Sequence, residues 1–151
     1  MFDWKVFENL KVLLSEASHN EYKDLLGQHH VWLRPKDLLR WVEFIRDDLG
    51  FLVLVDMVTV DHQGVKSGYR FELIYHFLNM GSHQRLNLHL RFNDCEVIPS
   101  IRHFYPHADW PEREQAEMFQ LDFDREMQPL LLPHGQQNFP LRKDSVIKSW
   151  P

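Results

Sequence analysis

Three segments near the middle of the chain have the composition and the period of β-strands, and they constrain the fold more than any other feature. They cover residues 51–61, 69–79 and 85–92, with glycine-containing turn sequences between them. In the third segment, apolar and polar side chains alternate: Leu86, Leu88 and Leu90 against Asn87, His89 and Arg91. This pattern predicts an antiparallel meander with one buried face and one solvent-exposed face.

Helical spacing of apolar residues predicts two helices before these strands. Residues 3–18 show this spacing, and Pro35 opens a second helix that ends before Gly50. Residues 22–27 are expected to form a connector. Residues 30–33 are long enough only for a short strand, which we place at the edge of the sheet.

The most acidic segment, residues 110–123, is also predicted to be a helix. Asp109 is expected to cap its first turn, and Glu112 completes a capping box. Pro111 is tolerated there because the first turn needs no backbone N–H. One face of this helix mixes large apolar side chains with a carboxylate, which is typical of a helix half buried against another surface. That face carries Trp110, Glu114, Met118 and Leu121.

Charge is concentrated in this part of the chain. Between residues 108 and 128, seven acidic side chains stand against two basic ones, a local charge of −5 that equals the net charge of the whole chain. Arg113 is placed to pair with Glu117 one turn later. The tail from residue 139 is basic by comparison. We expect the helix and the tail to contact a partner through ten candidate residues: Trp110, Glu112, Arg113, Glu114, Glu117, Met118, Phe119, Arg142, Lys143 and Asp144.

Taken together, these patterns predict one α+β domain over residues 1–151. It has a small, mostly antiparallel sheet with N-terminal helices packed on one face. A short helix from Pro99 to Tyr105 is expected before the acidic helix, and the tail after Phe123 is expected to be irregular because prolines and glycines are dense there.

Residues that could carry chemistry are scattered along the chain. Cys95 stands between Asp94 and Glu96, whose charges oppose thiolate formation, and one cysteine cannot hold an iron–sulfur cluster. His103 and His107 have the spacing of two metal ligands on one helix face, but a proline interrupts that turn. No Walker A or dinucleotide-binding glycine motif is present in the sequence. We expect no catalytic site, no metal and no cofactor here, and a partly buried structural thiol at Cys95.

Composition excludes several further classes of protein. No apolar run approaches the roughly 20 residues of a membrane-spanning helix, and no signal peptide is evident. The single cysteine suits a reducing cytoplasm. The net charge of −5 argues against a nucleic-acid partner, which requires a basic surface.

Motifs in this chain stand in the same order as in a known family. The pattern W-x-E-R-E-x-x-E-M-F begins at Trp110, and P-L-R-K-D occupies residues 140–144. Upstream, RFELIYHFLNM and QRLNLHLRF are similar to the paired strands of that family. Over residues 51–144 the chain therefore resembles the C subunit of NADH-quinone oxidoreductase, the thirty-kilodalton subunit of respiratory complex I.

The resemblance implies an accessory subunit of the hydrophilic arm of a proton-pumping complex. Such a subunit packs on the D subunit of that complex, peripheral on the cytoplasmic side of a bacterial inner membrane, and it belongs to an enzyme without having a catalytic site of its own. Flavin, iron–sulfur clusters and quinone are expected in other subunits. The chain departs from the family pattern at Gln120, where a glycine is usual, and it lacks a later pair of arginines.

Two other interpretations remain open from the sequence. The chain could be the equivalent subunit of a membrane-bound hydrogenase or formate-hydrogenlyase complex, which shares the E-R-E helix. It could also be a stand-alone small α+β hydrolase or metal enzyme, in which case the purified protein would contain stoichiometric metal.

Overall fold

The three central strands lie where their sequence patterns place them, within one five-stranded mixed sheet of order β1-β2-β5-β4-β3. The structure is a computed structural model that describes residues 21–23, 28–133 and 138–145, so the predicted helix at 3–18 lies outside the described residues. The strands are β1 (Glu21–Lys23), β2 (His29–Leu33), β3 (Val53–Asp61), β4 (Phe71–Asn79) and β5 (Gln84–Phe92). Two α-helices, α1 (Leu38–Asp47) and α2 (Asp109–Phe119), and the 3-10 turns Pro35–Asp37 and Pro106–Ala108 complete the described elements. The predicted α+β class is confirmed.

The apolar core lies on one face of the sheet. In register, Tyr75 of β4 pairs with Leu88 of β5, and both side chains are fully buried. The buried face of α1 belongs to the same core and includes the fully buried side chains of Trp41 and Ile45. Burial of these side chains removes apolar surface from water, which is the main force that holds helix and sheet together.

Strand β2 is an interior strand, so its predicted place at the edge of the sheet is wrong. It pairs in parallel with β5 on one side and antiparallel with β1 on the other. The parallel partner is reached through a long crossover that contains α1, β3 and β4. The edge assignment failed because β1 is only three residues long and overlaps residues 22–27, the segment predicted to be a connector.

The polar face of β5 is also more buried than its alternating pattern predicts. Asn87 and His89 are buried although they point away from the apolar core. His76 Nδ1 donates to Asn87 Oδ1 at 2.7 Å, and the ring of His89 stacks on Trp32 with centroids 4.7 Å apart. An alternating pattern predicts which side chains are polar but not whether they are exposed. Here the polar side chains contact one another and exclude water.

The segment before α2 differs from expectation. Residues 99–105 form turns rather than a helix, and the 3-10 turn Pro106–Ala108 leads directly into α2. The N-cap residue is Ala108, without a side-chain capping bond, so the capping box from Asp109 to Glu112 is wrong. Both carboxylates instead contact Arg125, which lies after the helix.

Helix α2 ends at Phe119, four residues earlier than the acidic segment does. Gln120 follows in the left-handed conformation with φ of 58°. This is the position where the resemblance leads us to expect glycine, the residue that adopts this conformation without steric cost. Leu121 therefore lies outside the helix and does not share the helical face that the sequence predicted for it with Trp110, Glu114 and Met118.

Truncation of the central leucine tests the position of the core. Leu88→Ala is expected to lower the free energy of unfolding by about 2–5 kcal/mol, because it leaves a cavity in the core. The same substitution at Leu52, whose side chain is 66% exposed, should cost less than about 1 kcal/mol. Urea denaturation of both variants checks this, and equal losses would place the core elsewhere.

Candidate functional site

The inner face of the acidic helix is built on a fully buried carboxylate. Glu112 is 0% exposed. The backbone N–H of Ile101 and the hydroxyl of Ser100 donate to its two oxygens at 2.8 and 2.6 Å. Arg125 Nη2 lies 3.1 Å from the same carboxylate. Burial raises the pKa of Glu112 above its ordinary value, and these donors act in the opposite direction. This carboxylate therefore joins three segments of the chain.

A second carboxylate of the helix binds the loop that follows it. Glu117 accepts hydrogen bonds at 2.6, 2.7 and 3.2 Å from three consecutive backbone N–H groups, those of Leu130, Leu131 and Leu132. Burial acts to raise the pKa of Glu117, but these donors outweigh it and the net shift is downward. Three N–H groups that would otherwise need water are satisfied by one side chain.

The predicted pair between Arg113 and Glu117 does not form. Arg113 donates from Nε and Nη2 to the carbonyl oxygens of Gln128 and Pro129, at 2.8 and 2.7 Å. Its ion-pair partner is Asp109, one turn earlier, at 3.5 Å. The side chain points toward the loop because its planar fork can bind two carbonyl groups there.

The basic tail closes back on the sheet through a set of contacts that we call the tail clamp: Arg70, Phe71, Asp94, Arg142 and Asp144. Arg142 contacts Asp94 at 3.0 Å and Asp144 at 3.1 Å. Arg70 contacts the same two carboxylates at 2.8 Å each. The Cζ atoms of Arg70 and Arg142 lie 4.9 and 5.3 Å from the centroid of the Phe71 ring. Hydrogen bonds from Arg142 and Arg70 lower the pKa of Asp144 to about 2.

Removal of Arg142 tests whether the tail clamp stabilises this domain. Arg142→Ala should lower the free energy of unfolding of the isolated chain by about 1–3 kcal/mol, the range for hydrogen bonds to charged groups. The variant also loses the bond from Nη1 to the carbonyl of Phe119. Lys143→Ala is the matched control, since this side chain is exposed and the backbone N–H that contacts Asp61 remains. Equal thermal melts for the two variants would contradict a structural role for Arg142.

The outer face of α2 carries the exposed candidates. Trp110 is 66% exposed, and the Cζ of Arg113 lies 5.9 Å from its ring centroid. Glu114, one turn later, is exposed. Met118 is half-buried against the core, and Phe119 is buried in it. That any of the ten candidates contacts a partner stays a prediction, and the exposed members are the ones a partner could reach without unfolding the chain.

A polar cluster that the sequence pattern did not reveal lies on the opposite face of the sheet. Glu72 is its centre, and we call it the Glu72 cluster. The side chains of Trp32, His62, His89 and Arg91 donate to this carboxylate at 2.9, 3.0, 3.1 and 3.3 Å. The hydrogen bond from His89 does most to lower the pKa of Glu72, to about 2, although burial opposes the shift. The one sequence signal for the Glu72 cluster was the register of β4 with β5, which pairs Glu72 with Arg91.

The lowered pKa of Glu72 predicts a loss of stability in acid. The folded-state pKa of about 2 lies below the ordinary 4.5, so ionised Glu72 stabilises the fold above pH 4.5 and this contribution is lost as the pH falls toward 2. Its size is on the order of 3 kcal/mol. Denaturant unfolding across this range should show a shallower pH dependence for Glu72→Gln, whereas exposed Glu43→Gln should follow wild type. Parallel curves for both variants would refute the assignment.

The remaining described histidines and Cys95 lie outside the clusters above. Within residues 28–133 and 138–145, no three His, Cys, Asp or Glu side chains are arranged to hold a metal ion. His107 Nε2 contacts the carbonyl of Leu54 at 3.2 Å. Cys95 is exposed, so the expectation of a partly buried thiol is wrong. No helix in the described ranges is long and apolar enough to cross a bilayer.

Solved structures share this fold. A trypsin-resistant fragment of Nqo5, residues 1–134, superposes with a TM-score of 0.72 at 19% identity, covering 86% of this chain and all of that one. A chain in the membrane-bound sulfane sulfur reductase, an archaeal respiratory membrane complex, gives 0.73 at 20% identity, covering 95% of this chain and 86% of that one. The class of domain is thus the α+β fold that the Nqo5 fragment adopts.

Sequence comparison identifies the family. Residues 31–150 match the family of the respiratory-chain NADH dehydrogenase 30 kDa subunit. The C subunit of NADH-quinone oxidoreductase from Ruegeria pomeroyi is 35% identical over 122 residues, and that from Rhodobacter capsulatus is 37% identical over 122 residues. Each comparison covers 78% of this chain and 60% of the relative, so the chain spans about three fifths of their length. The chain belongs to this 30 kDa subunit family, as the order of its motifs predicted.

Proposed function

We propose that this chain is an accessory subunit of the hydrophilic arm of an NADH-quinone oxidoreductase. In this role it supports electron transfer from NADH to quinone while flavin, iron–sulfur clusters and quinone are bound by other subunits. The D subunit of that complex, on the cytoplasmic side of a bacterial inner membrane, is its proposed neighbour. The observation that carries the proposal is the family match over residues 31–150.

The outer face of α2 is the proposed contact with this neighbour. An indole with two thirds of its surface in water costs free energy in the isolated chain, and tryptophan is among the residues that contribute most to binding at interfaces. Trp110 has this exposure, and Glu114 lies one turn away on the same face. A partner that covers both would remove a large apolar surface from water and enclose a carboxylate that needs a positively charged group opposite it.

The inner contacts of α2 keep this face in place. Glu112, Gln115 and Phe119 are buried, and Gln115 Oε1 accepts a hydrogen bond from the backbone N–H of Thr59 at 3.2 Å. The helix is therefore fixed to the edge strand β3 before any partner binds. A rigid helix loses little conformational entropy on association, which favours binding.

Substitutions on the outer face should weaken assembly without weakening the fold. Trp110→Ala and Glu114→Ala are expected to reduce recovery of the assembled complex on a tagged chain, because the partner loses an apolar anchor or retains an unpaired charge, at about 2–5 kcal/mol. Thermal melts of the isolated variants should stay close to wild type. Met80→Ala and Glu43→Ala, exposed positions away from α2, are the matched controls. If recovery is unchanged, or if the controls lower it equally, this face is not the contact.

The equivalent subunit of a related membrane-bound complex is the second candidate. The fold shared with the archaeal sulfane sulfur reductase chain favours it. The proteins that copurify with the tagged chain distinguish the two: NADH-oxidising subunits support the quinone oxidoreductase, whereas hydrogenase or sulfur-reducing subunits in their place support the alternative.

A further inference from the structure

A cleft of about 440 Å³ opens where β2 and β5 end and β4 begins. Trp32, Arg34, Tyr69, Arg91, Asn93 and Glu96 are among the residues that line it. None of these belongs to α2 or to the tail clamp. The cleft is therefore a different surface from the proposed contact at Trp110.

Arg91 is held in a fixed position at this cleft. Its Cζ lies 5.2 Å from the centroid of the Trp32 ring and 4.7 Å from that of Tyr69. Its Nε lies 3.3 Å from Glu72 Oε1. Glu72 is itself fixed by the donors of the Glu72 cluster. The guanidinium is consequently oriented before a ligand arrives, and its conformational entropy is already lost.

The outer edge of this guanidinium is free to bind. In the part of the chain that the structure describes, neither Nη1 nor Nη2 of Arg91 has an acceptor, and its side chain is 36% exposed. Arg34, at the same cleft, is exposed and makes no ion pair with a described residue. Two parallel N–H groups on a planar fork match the two oxygens of a carboxylate.

Nearby negative charges determine which ligand fits. The chain carries a net charge of −5, and Glu72 lies directly behind Arg91, so long-range attraction of free anions is weak. Glu96 at the cleft accepts the backbone N–H of Asn93 at 2.7 Å. Recognition must come from short-range hydrogen bonds together with apolar contact to the rings of Trp32 and Tyr69. A carboxylate on an aliphatic stem meets both requirements better than an inorganic anion does.

We propose that the Arg91 cleft binds an aspartate or glutamate side chain from a segment of a neighbouring protein. Arg91 donates two N–H groups to the carboxylate, and Arg34 adds a third donor from the rim. That the segment belongs to another subunit rests on the proposed function; that the cleft recognises a carboxylate does not.

Titration of the 151-residue chain with two blocked peptides tests this site. One peptide has a single glutamate between apolar residues, and the other has glutamine at that position. Binding is followed by the NMR signals of the arginine side chains. The glutamate peptide should shift the Arg91 signals and saturate, and the glutamine peptide should bind about tenfold more weakly or less.

Substitutions on one strand provide the control. Arg91→Lys keeps the charge but removes the fork, and Arg34→Gln removes the rim donor; both should weaken binding of the glutamate peptide. Arg85→Gln changes an exposed arginine at the other end of β5, about 20 Å away, and should leave binding unchanged. Equal affinity for the two peptides, no binding of either one, or equal losses in the Arg85 and Arg91 variants would overturn the proposal. The result does not depend on which complex the chain joins or on Trp110.

Discussion

The buried carboxylate of Glu112 is the contact on which the C-terminal part of the described domain depends. An ionised group without partners at this depth would cost several kcal/mol, and here the N–H of Ile101, the hydroxyl of Ser100 and the guanidinium of Arg125 compensate it. Because these donors come from before and after α2, the carboxylate fixes the helix relative to both flanking segments. The parallel bridge between Ile98 and Phe123 lies beside it and closes the same loop.

Most of the sheet could be predicted from the sequence because its signals are local. The leucines of β5 and the turns around Gly64 and Gly81 place β3, β4 and β5 within two residues of their observed bounds. The position of β2 could not be predicted in this way, since its partner β5 lies far along the chain and β1 is too short to produce a pattern. One member of the Glu72 cluster, Trp32, was missed for the same reason, because it reaches Glu72 only through that parallel pairing.

The acidic helix shows why charge alone could not separate a partner surface from internal structure. Glu112, Glu114 and Glu117 are chemically identical, but the first is buried in the domain, the last binds the following loop and only Glu114 remains exposed. The helix and the family could both be predicted from the sequence. The segments after residue 124 that contact the helix could not, because they carry few signals of regular structure. Backbone carbonyl groups of these segments accept hydrogen bonds from Arg113, and their backbone N–H groups donate to Glu117.

The parallel pairing of β2 with β5 has a consequence for how the chain folds. His30 and His89, which touch across this pairing, are 59 residues apart in sequence, whereas the hairpins of β3, β4 and β5 close over short turns. Closing the longer loop costs more entropy, so contacts of this kind tend to form late. We expect the three-stranded meander to form first and β2 to add to it afterwards. On a ribosome, the edge of β2 that pairs with β5 must then wait unpaired until β5 has been synthesised.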